Sequence, residues 1–76
     1  MPCVRPDGTL SGSGRALLEA VRAEMTAVDA AKKIGMPLHL VRSGLREMIA
    51  AGLVREDGER FGQTEKGAAT ARSSGG

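Results

Sequence analysis

Between positions 32 and 46 the chain carries Lys32, Lys33, Arg42 and Arg46 and no aspartate or glutamate. Ammonium and guanidinium groups without acidic neighbours bind phosphate, and arginine can also grip the paired acceptors on a guanine edge. His39 and Ser43 lie among them and add smaller donors and acceptors. From Glu47 onward the balance reverses: Glu47, Glu56, Asp57 and Glu59 stand against Arg55 and Arg60. The net charge of +2 over 76 residues is therefore unremarkable as a total, and informative only as a local positive field in mid-chain. Ordinary roles compete for each of these groups. Arg42 and Arg46 also read as solvated helix cations. Lys32 and Lys33 near a helix C-terminus suit the macrodipole, and Arg55 and Arg60 have acids beside them for cross-strand pairing.

Other chemistry has little to stand on. Cys3 is the only cysteine, so no intramolecular disulfide forms, and with the lone His39 it falls short of the roughly four ligands of structural zinc. No metal and no cofactor is expected. Gly12-Ser13-Gly14-Arg15 lacks the Lys-Ser/Thr of a phosphate loop. No Ser/His/Asp or Cys/His pair is placed by the sequence, and a domain this small leaves little room for a deep pocket, so the chain does not read as an enzyme. Phe61 is the only aromatic, which rules out a base-stacking platform. No run approaches the ~20 apolar residues of a membrane span. The first residues lack the basic and apolar segments of a signal peptide, and the reading is a reduced, cytoplasmic protein.

The cations need elements to hold them. Residues 1–12 read as an extended N-terminal arm with a turn at Pro6-Asp7-Gly8, 13–71 as one folded domain, and 72–76 as a disordered tail. A first helix is predicted from Ser13 to Glu24, capped by Ser11 or Ser13, with Leu17, Leu18, Val21 and Met25 as its apolar stripe. Thr26 caps a short second helix with Asp29 at the capping-box position. Val28, Ala31 and Ile34 form its repeat, and Gly35 is its left-handed stop. Pro37 suits the first turn of a third helix, with Leu38, Val41, Leu45, Met48 and Ile49 inward and Gly52 at its end. The brief link Gly35-Met36-Pro37 forces the second and third helices to cross steeply. Leu53–Glu56 and Glu59–Gln63 then flank Asp57-Gly58 as a β-hairpin, and Thr64 starts a last turn or short helix.

At this point the chain resembles a known group. Thr26-Ala27-Val28-Asp29-Ala30-Ala31 followed by Gly35 is similar to the first half of the helix-turn-helix in MarR-like regulators. Val41-Arg42-Ser43-Gly44-Leu45-Arg46-Glu47-Met48 with Ala51-Gly52-Leu53-Val54 resembles their recognition helix and the approach to the wing. Asp57-Gly58 resembles a wing tip. Gln63-Thr64-Glu65-Lys66-Gly67 is similar to the Leu-Thr-x-x-Gly that closes many such wings, with Gln63 in place of the apolar residue. The resemblance covers roughly residues 14–68. Full MarR-type regulators are longer and carry further helices for dimerisation and ligand binding, to which the resemblance does not extend.

The resemblance implies an α+β winged helix-turn-helix, a three-helix core with a two- or three-stranded β wing. It also implies a transcriptional regulator that binds double-stranded DNA with its third helix in the major groove, with a homodimer doubling the contacts. A helical step of about 100° places His39, Ser43, Arg46 and Ala50 outward, with Arg42 on the flank. The candidate DNA-binding residues are thus His39, Arg42, Ser43 and Arg46 on bases or backbone, Lys32 and Lys33 on phosphate, and Arg55 and Arg60 at the wing. The acidic residues at the wing tip argue against deep penetration. The alternative is a winged-helix protein-protein interaction module without DNA binding. Leu40 would be its contact, though the same side chain could touch a thymine methyl instead. Gly44 costs the helix about 1 kcal/mol relative to alanine and would let a backbone or phosphate come close.

Overall fold

The computed structural model of the chain describes residues 10–74. Of the expected arm 1–12, residues 1–9 with the turn and Cys3 lie outside the described residues, as do the last two glycines; its end is not an extended arm, since Leu10 is buried, Ser11 caps the first helix and Gly12 begins it. Helix α1 (Gly12–Ala20) begins where the Ser11 hydroxyl accepts the Gly14 N–H at 3.0 Å. It stops before the predicted Glu24. The Arg22 N–H turns back to the Glu19 carbonyl at 3.2 Å, and the chain straightens into strand β1 (Met25–Thr26), paired with Phe61 and Arg60. Met25 therefore reaches the core edge from a strand, not from the helical stripe. Local spacing favoured a longer helix, and a partner far along the chain overrode it.

Helix α2 (Ala27–Ile34) starts at Thr26, whose hydroxyl accepts the Asp29 N–H at 3.2 Å. Its inner face is Ala27, Ala30 and Ala31, whereas Val28, which the expected repeat grouped with Ala31 and Ile34, is 42% exposed. The alanine stripe allows α2 to lie close to its neighbours, because interaxial distance follows side-chain size. Gly35 closes it at φ +70°, and the Gly35 and Met36 N–H groups both bond the Ala31 carbonyl. Pro37 is the cap of α3 (Leu38–Ala50), which buries Val41, Gly44, Leu45 and Met48. Ile49, predicted inward, is 36% exposed at the margin of that face. The helix ends in a Schellman arrangement: Gly52 sits at φ +79°, its N–H bonds the Ile49 carbonyl, and the Leu53 N–H bonds that of Met48.

Strands β2 (Val54–Asp57) and β3 (Arg60–Gln63) form the hairpin, with β3 between β1 and β2 in an antiparallel sheet. The turn is Gly58-Glu59, one residue later than predicted, because Asp57 is already paired with Arg60. Gly58 alone in that loop has positive φ, at +64°, as the first position of a type II′ turn requires. The last helix, α4 (Glu65–Ser74), packs on α1 and continues through 72–74, which the sequence reading assigned to the tail. Leu17, Leu18, Val21, Val41, Leu45 and Met48 are fully buried and form the centre of one core.

The junction before α4 is unusually dense in polar contacts. The Thr64 hydroxyl accepts the Gly67 N–H at 2.9 Å and donates to the Gly52 carbonyl at 2.6 Å. The Thr64 N–H bonds the Leu53 carbonyl, and the Lys66 ammonium donates to the Ala51 carbonyl at 3.0 Å. Gln63, which replaces the apolar residue of the closing motif, donates its side-chain amide to the Leu18 carbonyl at 2.8 Å. At Gly67 the α4 backbone lies directly against Leu53, and an added Cβ would collide with the Leu53 carbonyl oxygen. Gly67→Ala should therefore lower unfolding free energy by about 2–3 kcal/mol. Gly12→Ala, with open space around its new methyl, should be neutral or slightly stabilising. Urea denaturation of both variants checks the contrast.

Candidate nucleic-acid interface

Helix α3 presents its outer face as a row on a rigid element. His39, Arg42, Ser43 and Arg46 are all exposed, as the 3.6-residue period requires once Val41, Leu45 and Met48 are inward. Among the described residues neither Arg42 nor Arg46 is in an ion pair, whereas Arg15 pairs with Glu19 and Arg55 with Glu24. Gly44 is buried, so it lies off the outer face and offers no close approach to a ligand there.

Arg42 and Arg46 also line an open cleft of about 540 Å³ between the start of α2, α3 and the hairpin. Its apolar surface comes from Val28, Ile49 and Phe61, and Glu56 and Glu59 face it from the hairpin. Val28 and Ile49, two of the three large apolar residues exposed among those described, are both here. Helical spacing alone made them look buried; their exposure follows from where the hairpin stands, which only long-range pairing decides.

The remaining candidates are scattered. Lys32 and Lys33 are exposed in the last turn of α2. Lys33 borders a shallow depression with Glu19, Arg22 and Ala23 at the end of α1, apart from the cleft. Strand alternation puts Arg55 and Arg60 on the hairpin face opposite Glu56 and Phe61. Arg55 bonds Glu24 at 3.3 Å, in place of the acids of its own hairpin. Leu40 is 39% exposed and lies roughly 160° round α3 from Arg42. The described residues hold no group of three or more His, Cys, Asp or Glu fit for a metal, and no helix among them is long and apolar enough to cross a membrane.

No family profile matches the chain, and neither does any curated protein. Solved structures do. The reduced form of MarR from E. coli superposes with a TM-score of 0.81 at 22% identity, covering 86% of this chain and 51% of that one. BpsR from Bordetella bronchiseptica, whose DNA binding is regulated by 6-hydroxynicotinic acid, gives 0.79 at 22% identity, covering 90% and 54%. The fold is a winged helix-turn-helix. In its terms α2, the Gly35 turn and α3 are the helix-turn-helix, and β2–β3 is the wing. The chain spans about half the length of each of these structures. Since Arg42 and Arg46 are exposed and have no ion-pair partner among the described residues, Arg42→Ala/Arg46→Ala should leave stability within about 0.5 kcal/mol of the parent, checked by thermal unfolding.

Proposed function

We propose that this chain is a double-stranded DNA-binding domain of a transcriptional regulator, with α3 in the major groove. The observation that carries the reading is the outer face of α3, where Arg42 and Arg46 stand exposed without an ion-pair partner among the described residues. The major groove is wide enough for one helix, and arginine is the side chain best matched to guanine O6 and N7 or to phosphate. His39 and Ser43 complete the row that would meet base edges. Lys32 and Lys33 would contact phosphate on the α2 side, and Arg55 and Arg60 would meet backbone from the outer face of the wing. The winged-helix likeness to a protein whose DNA binding is regulated supports this assignment over others open to the fold.

A single domain of this size neutralises few phosphates, so affinity is modest and steeply salt-dependent. A homodimer would read two half-sites and double the contacts. The setting is the cytoplasm, where the DNA of a bacterial-type regulator lies.

Fluorescence anisotropy with a mixed-sequence duplex at about 50 and 200 mM salt tests the reading. Binding is expected to fall by about tenfold or more over that range, and to be lost in Arg42→Ala/Arg46→Ala. Leu40→Ala, on the other flank of α3, should bind as the parent does. A folded chain that shows no binding at low salt overturns the proposal.

A further inference from the structure

The cleft between α3 and the wing sorts charge in an unexpected way. Its two guanidiniums, Arg42 and Arg46, face two carboxylates, Glu56 and Glu59. The hairpin's cations, Arg55 and Arg60, are on the opposite face of the strands. Among the described residues none of the four cleft groups is in an ion pair. The cleft is thus charge-balanced without its charges being locked together.

A helix seated in a major groove about 12 Å wide has a phosphate backbone on each side of it. The hairpin stands beside α3, so a backbone following that side of the groove would run along the mouth of this cleft. There it meets Arg42 and Arg46 from α3 and, facing them, two like-charged carboxylates. We propose that Glu56 and Glu59 are a built-in counter-charge that holds down sequence-independent affinity for the DNA backbone. The inference rests on the DNA-binding reading above. The restraint acts on every duplex alike, because every duplex carries the same phosphates. What remains to hold the domain on a site is contact with base edges, which carry no net charge. The restraint is also local: screening limits exposed charges to about 8 Å at physiological salt, so acids elsewhere on the domain cannot substitute for it.

The test uses the full chain and the same mixed-sequence duplex. Glu56→Gln/Glu59→Gln removes the carboxylates and keeps side-chain size; both positions are exposed, so folding is retained. The variant should bind about three- to tenfold more tightly at low salt, with a salt dependence steeper by about one to two phosphate contacts. A matched variant, Glu65→Gln, makes outside the cleft the same change in net charge that Glu59→Gln makes within it, and should gain much less than Glu59→Gln does. If the parent binds and the cleft variant binds equally, the counter-charge is overturned while the DNA reading stands. A gain in Glu59→Gln equal to that of the matched variant overturns it too. If the parent and the cleft variant both fail to bind at low salt, the DNA reading falls and takes this inference with it.

Discussion

Everything the outer face of α3 can do depends on how the end of that helix is held. The carbonyls of its cap, Ala51, and of Gly52 just beyond it have no partner within the helix. They are taken instead by Lys66 and Thr64, from the start of a helix that comes after the whole wing. Gly67 lets the α4 backbone lie against Leu53 at the same point. The start and the end of the wing are therefore pinned together, and both are pinned to α3. The threonine and the glycine of the closing motif have separate physical tasks: one hydroxyl serves two helix ends, and one missing Cβ makes room for the contact. Gln63 adds a third tie, to α1 through the Leu18 carbonyl, which an apolar residue could not make.

The other supports of α3 are apolar. The alanines of α2 bring the first half of the helix-turn-helix close, and the Gly35 turn sets the crossing. Val41, Leu45 and Met48 seat α3 on the common core with α1. The exposed side chains of α3 thus project from an element fixed by packing along one face and by hydrogen bonds at its C-terminal end. Such a platform holds polar groups in place more precisely than a loop can.

Local signals carried much of this into the sequence. Ser11, Thr26, Gly35 and Gly52 mark helix limits through backbone chemistry that involves only near neighbours, and each acts where its residue type suggested. The outward row of α3 was legible for the same reason, since it follows from the period of the inward residues. What was hidden depends on distant partners. Met25 leaves the α1 stripe because Phe61 pairs with it, and the hairpin turn shifts by one residue because Asp57 pairs with Arg60. Val28 and Ile49 were misread as core because hydrophobicity shows only that a residue favours burial, not that a neighbour is present to bury it. The acids opposite Arg42 and Arg46 were visible as wing-tip acids. Their meeting with those arginines in one cleft was not, because it needs the hairpin's position.

The sheet has a mechanical corollary. The hairpin joins the helices through the pinned junction at Thr64 and through the two residue pairs that β3 makes with β1. Past Arg60 only the turn Gly58-Glu59 projects. The hairpin is therefore a ribbon braced at both ends of β3, at its root by the Thr64 junction and beside its turn by β1. The wall that carries Glu56 is thereby tied to Thr26, the residue that caps α2.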